Sequence, residues 1–216
     1  MHALLGLALA ATTVMGHSVE HRPIVMKRVG DPAAPRKVLL VGCVHGDERA
    51  GRRLVGLLAR VTPPAGSQLL LVRDLNPDGS ARRTRTNARG VDLNRNSSTG
   101  WAGAGRRPWS EPEARALRDV VLRERPAVTI FYHQPLAVVD VPSVGSARLS
   151  RRYARVARLP VRRLPTYPGS LSRWENARVR RGSAFVVELP RGPMTDVAVL
   201  RHAAAVFALA GAPLPR

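Results

Sequence analysis

Two histidines and two glutamates are the residues of this chain best placed to do chemistry: His45, Glu48, His133 and Glu188. His45 and Glu48 lie just past an apolar run at 38–44. His133 closes a second run at 127–133, and Glu188 lies near the end of a third at 183–189. Two imidazoles and one carboxylate make a three-ligand zinc set, leaving a fourth position for water. A second carboxylate nearby can take a proton from that water. Zinc brings the pKa of such a water toward ~7, which supplies a nucleophile at neutral pH. Residue types alone do not say which glutamate does which.

Each of these residues also has a plainer use. A single histidine at a strand end is usually a hydrogen-bonded loop residue, and His-x-x-Glu alone is a weak pattern. The chain has only six histidines. His17 and His21 are four apart but have no carboxylate context, so they and His202 are left as ordinary residues. The lone cysteine, Cys43, excludes a disulfide framework and a cysteine-rich zinc site. Inside an apolar run it reads as a small buried hydrophobe. No Gly-x-Ser-x-Gly elbow, Walker loop or Gly-x-Gly-x-x-Gly fingerprint occurs.

Strands must carry the four residues. The nearly continuous apolar run of 37–44 is typical of a strand covered on both faces. Residues 20–29, 68–75, 127–133, 136–141 and 183–189 also read as strands. Helices are predicted at about 47–60, 146–158 and 195–210, the last ending at Gly211. In the first of these, Ala50, Leu54, Leu57 and Leu58 share one side. Ser110-Glu111-Pro112-Glu113 reads as a capping box opening another helix, with Ala114, Leu117 and Val121 buried and Pro126 as its stop. Residues 76–107 lack periodicity and read as a long functional loop. Strands alternating with helices imply an α/β fold, a single domain with a mixed, largely parallel central sheet flanked by helices. Ligands of such sheets bind beyond the carboxyl ends of the strands, where the four residues fall.

The loop supplies the most specific pattern. The order is His45-Gly46-Asp47-Glu48, Asn76-Pro77-Asp78-Gly79, Gly90-Val91-Asp92-Leu93-Asn94-Arg95-Asn96, a lone histidine, then a glutamate near a strand end. It resembles the M14 zinc metallocarboxypeptidase family, most closely the small bacterial branch that includes murein peptide amidases. The resemblance runs from about residue 18 to 210. It implies one zinc ion held by His45, Glu48 and His133, with Glu188 as the general base. It also implies that Asn94 and Arg95 bind the substrate's free carboxylate, that Arg85 stabilises the oxyanion, and that Tyr167 stands near the cleaved bond. A planar guanidinium beside an amide donor suits bidentate carboxylate capture. Losing one oxyanion donor can cost ~10²–10³ in rate. Arg82, Arg83 and Arg89 compete with Arg85 for that register. Ser97-Ser98 departs from the Phe-Pro that related sequences usually carry there. The chain is also shorter than digestive carboxypeptidases, which implies a more open cleft.

Composition bounds the rest. The chain has 216 residues, 44% apolar and 4% aromatic, with a formal charge of +20 that is almost wholly arginine. A basic surface attracts polyanions, yet no nucleic-acid-reading signature is present, and most of the charge reads as a solvated face. Residues 1–16 read as a leader ahead of a catalytic domain at 18–216. Their apolar run is too short to span a bilayer, and Ala8-Leu9-Ala10 fits a cleavage site. No lysine or arginine precedes the run, so the n-region of a signal peptide is defective, and a chain whose N-terminal segment is not a leader would be cytoplasmic. A leader implies a secreted or envelope location. The expected partner is a peptide or muropeptide, with no specific nucleic acid and no stable membrane insertion; oligomeric state is not encoded legibly. Two rivals remain: an N-acyl-amino-acid deacylase of the aspartoacylase or succinylglutamate desuccinylase type, and a non-catalytic polyanion-binding protein on the same fold.

Overall fold

A computed structural model of the chain describes residues 11–143 and 145–211. Eight strands form one sheet: β1 Ala11–His17, β2 Pro23–Gly30, β3 Arg36–Val41, β4 Ser67–Val72, β5 Val128–His133, β6 Leu136–Asp140, β7 Val161–Arg162 and β8 Ser183–Pro190. Their spatial order is β1-β2-β4-β3-β5-β8-β6-β7. The centre, β4-β3-β5-β8, is parallel, while β1 and β2 on one side and β6 on the other run antiparallel to their inner neighbours. The helices are α1 Gly51–Leu58, α2 Pro77–Arg82, α3 Pro112–Glu124, α4 Ala147–Ala157, α5 Leu171–Arg178 and α6 Asp196–Ala210.

The apolar runs follow from two-sided burial. Successive strand side chains point to opposite faces. Val38 and Leu40 of β3 join one core with Leu54 of α1, Tyr153 of α4 and Val206 of α6. Leu39 and Val41 join the other with Leu117 and Val121 of α3 and Trp174 of α5. Both faces are dry, so no polar alternation survives in the sequence.

Three local readings change. Residues 76–107 are not one loop: they hold α2 and a single 3-10 turn at Leu93–Arg95. Ser110 is not the N-cap of α3. Pro112 occupies its first turn, Glu111 is the N-cap without a side-chain cap bond, and the Ser110 hydroxyl donates to the Glu111 carboxylate at 2.6 Å. Buried Glu113 instead accepts from the amides of Val19 and Asn87. Residues 11–17 form the edge strand β1, against which α3 packs through the close approach of Gly16 to Ala116. Ala8-Leu9-Ala10 lies outside the described residues. Trp109 and Trp174, distant in sequence, stack edge to face at 4.7 Å.

His202 ends a polar chain through the core. The Tyr153 hydroxyl lies 2.6 Å from its Nδ1 and 3.1 Å from the Tyr132 hydroxyl. Burial pushes His202 down to about 4. The unfolded chain therefore takes up this proton at a higher pH than the folded one, and His202's contribution to stability fades as pH falls from ~6.5 to ~4. The full loss amounts to about 3 kcal/mol at 1.36 kcal/mol per unit. Urea unfolding across that window should show the loss in the parent and a smaller one in His202→Gln. Equal slopes would remove the assignment.

Candidate active site and metal centre

The three parallel strands β3, β5 and β8 deliver the chemistry to one edge of the sheet. His45 and Glu48 lie in the crossover from β3 to α1. His133 is the last residue of β5, and its register partner on β8 is Glu188. Strand order alone thus brings together residues more than 140 positions apart in sequence.

His45 Nδ1, a Glu48 carboxylate oxygen and a His133 ring nitrogen all lie within 4.8 Å of one another. His45 Nδ1 is 2.9 Å from Glu48 and 3.1 Å from His133 Nδ1; His133 Nδ1 is 2.7 Å from Glu48 Oε2. The second nitrogen of His45, Nε2, faces Asp92 Oδ1 at 3.1 Å. That contact makes Nε2 the protonated nitrogen and leaves the Nδ1 lone pair pointing into the cluster. Three electron-pair donors converging on one point, with a carboxylate behind one of the imidazoles, fit a single zinc ion.

The electrostatics agree. Burial opposes ionisation of Glu48, but hydrogen bonds to His133 and His45 outweigh it and hold the carboxyl down at about 2. Burial likewise opposes Asp92, and the His45 ring and the nearby arginines overturn it, keeping Asp92 an anion. His133, fully enclosed, is pushed down by burial and stays a neutral ligand-competent ring. His45 alone leans the other way: burial works against its charge, but Asp92 and Glu48 outweigh it and raise the ring, which gives up a proton when Nδ1 binds a metal. Glu188 is raised, by burial first and then by the Glu48 charge, and its Oε2 is buried without a partner among the described residues. A carboxylate with an idle oxygen beside the cluster is what a proton acceptor requires.

Of the competing arginines, only Arg85 reaches this cluster. Its Nη1 is 3.2 Å from Glu48, and its Nη2 and Nε lie 2.9 and 3.1 Å from Asp92. Arg82 pairs with Glu20, Arg83 caps α2 in a left-handed conformation, and Arg89 turns to Glu111. Asn94 and Arg95 sit on the 3-10 turn that Asp92 caps with a bond to the Asn94 amide. The Asn94 side-chain Oδ1 accepts from the Leu171 amide at 3.0 Å, which leaves the side-chain Nδ2 for a ligand. The Tyr167 ring lies 4.0 Å from the Arg95 guanidinium and is half exposed. All eight residues named from the sequence line one pocket of about 270 Å³.

The other motif residues hold this geometry in place. Asn76 caps α2 through the Gly79 amide, and Asp78 anchors Ser18, Glu20 and Arg22. A Cβ on Gly46 would sit 2.0 Å from the Gly79 carbonyl carbon, so the two motifs touch backbone to backbone. Gly169, at φ 72°, lets its loop lie against the Arg95 carbonyl. Ser97 is buried and donates to the Ser170 carbonyl at 3.1 Å. Two contributors escaped the sequence reading. Asp92 was inside a quoted motif but had no assigned partner until His45 was placed. Gln134 ties Ala50, Pro190 and Gly192 together across the rim, a role with no sequence signature.

No family model matches the chain. Murein peptide amidase A of Escherichia coli K12 is 32% identical over 166 residues, 66% of this chain and 68% of that protein. Murein peptide amidase A of Vibrio campbellii is 30% identical over 224 residues, covering 93% of this chain and 88% of its own. This chain belongs to the M14 metallocarboxypeptidase family. As an M14 metallocarboxypeptidase it is a hydrolase of the carboxypeptidase type. Its fold is that of the murein-tripeptide amidase MpaA of Escherichia coli O157, at a TM-score of 0.78 and 26% identity, covering 97% and 96% of the two chains. Carboxypeptidase A of Helicoverpa armigera shares the M14 fold at a TM-score of 0.75 and 18% identity, with 95% of this chain covering 70% of that one. No helix among the described residues is long and apolar enough to cross a membrane.

Proposed function

We propose that the chain is a zinc-dependent amidase that cuts an amide next to a residue with a free carboxylate, in peptides of the cell wall. The observation that carries this reading is the convergence of His45, Glu48 and His133 within 4.8 Å, with Glu188 beside them in register. The cell-wall part rests on the relatives, which are named for murein peptides.

When bound, zinc would polarise the attacking water and the scissile carbonyl. The chain's own residues do the remaining work. Glu188 takes a proton from the water and returns it to the departing amine. Arg85, fixed by Asp92 and Glu48, offers a cation to the charge that develops on the carbonyl oxygen. Arg95 and the free amide of Asn94 hold the substrate carboxylate, and Tyr167 closes over Arg95. Asp140 and Arg163 also line the pocket and suit a polar or charged side chain on the released residue. Diamino acids of wall peptides meet that description.

Asp92 fixes the His45 ring. Asp92→Asn should therefore weaken zinc binding by ~10–100-fold, the usual range for such a partner, in a competition titration with a chelator. Zinc affinity equal to the parent's would remove the role. Metal analysis of the purified protein, with a chelator-reversible assay on muropeptides and on N-acyl amino acids, tests the whole reading. Turnover of muropeptides that is lost with the metal and restored by zinc is the expected result. Turnover confined to N-acyl amino acids would replace the reading with the deacylase one.

A further inference from the structure

A second groove adjoins the catalytic pocket, and neither Asn94 nor Arg95 is among its lining residues. It shares Glu48, Arg85, Gln134 and Pro135 with that pocket, and its volume is about 730 Å³ against about 270 Å³. Six of its fourteen lining residues are arginines, against two acids, Asp47 and Glu48. Three of the six have acidic partners: Arg52 has Asp74, Arg53 has Asp196, and Arg85 has Glu48 and Asp92. Arg49, Arg73 and Arg191 are exposed and have no carboxylate at ion-pair distance among the described residues. They come from three separate places: the β3–α1 crossover, the end of β4 and the loop after β8. A solvated face does not require that cations from three loops surround one concavity that opens on the reacting centre.

We infer that this groove binds the acyl side of the substrate, and that the acyl side carries two or more anionic groups, carboxylates or phosphates. The inference rests on the amidase reading above. In that reading Asn94 and Arg95 hold the carboxylate of the released residue, so the chain on the other side of the cleaved bond leads into the groove. Guanidinium groups recognise carboxylate and phosphate alike through paired N–H donors. A concave wall of one sign concentrates the field and raises local substrate concentration. Because the three arginines are exposed, the attraction is screened by salt.

The test uses the zinc-loaded full chain and three peptides with the same released residue. Their acyl portions are acetyl-Ser-Ser, acetyl-Asp-Asp and acetyl-phosphoSer-phosphoSer. The two anionic peptides should show a KM about tenfold below the neutral one at low salt, with the advantage shrinking at ~0.5 M salt. Whichever of the two has the lower KM identifies the anion served. In Arg49→Gln/Arg73→Gln/Arg191→Gln the anionic-to-neutral ratio should fall to near one. Binding of a fluorescent acetyl-Asp-Asp-Asp-Asp amide gives a readout without turnover, and it should weaken by a similar factor in the triple variant. A parent without preference, or a triple variant that keeps both the preference and the binding, overturns the inference. Failure to hydrolyse any peptide would count against the amidase reading alone; the fluorescent peptide then decides the groove.

Discussion

Glu188→Gln should keep the zinc affinity of the parent and hydrolyse peptide amides ~10²–10⁴-fold more slowly, the range expected for loss of a general base. The substitution is nearly isosteric, and Glu188 is outside the His45–Glu48–His133 cluster, so the metal site keeps its donors. What disappears is the proton acceptor. The idle Oε2 of Glu188 becomes an amide or a neutral carbonyl, neither of which accepts a proton at working pH. The loss should fall on kcat with KM little changed, because Asn94 and Arg95, the proposed holders of the substrate carboxylate, are untouched. Zinc content by atomic absorption and steady-state kinetics on a muropeptide check both halves. Unreduced turnover would exclude the role.

His133→Ala should lose zinc far more severely than Asp92→Asn, by more than the ~10–100-fold expected for an outer partner. His133 supplies one of three donors, and its removal leaves Glu48 without its 2.7 Å partner. Activity should then be absent at ordinary zinc concentrations. The fold should survive, because His133 sits at the end of β5 while the core of that strand is Val128, Ile130 and Tyr132. A variant that folds by circular dichroism and still holds one zinc per chain would exclude ligation by His133.

The central architecture was legible because burial on both sheet faces writes long apolar runs. β3, β4, β5 and β8 were found that way, and His133 and Glu188 were found with them. Where burial is one-sided or the segment is short, the signal fails. β1 lies on an exposed edge, and its mixture of small and apolar residues reads as part of a leader. α2 has only six residues, too few for a helical period. Pro112 moved the start of α3 past the predicted cap, since the carboxyl of Glu113 was needed by Val19 and Asn87 instead. Arg85 could not be told from Arg82, Arg83 and Arg89 by spacing. The choice is made in space, by two carboxylates on one side and Glu20 or Glu111 on the other. Asp92 shows the same limit: its function is a distance to a ring 47 residues away.

The backbone contact between residues 46 and 79 has a wider implication. With no side chain between them, the β3–α1 crossover bearing His45 and Glu48 and the helix leading to Arg85 behave as one welded part. Even a methyl group at Gly46 would wedge the two pieces apart. It would displace the His45–Glu48–His133 cluster and Arg85 together, so the two should drift, or stay fixed, in concert.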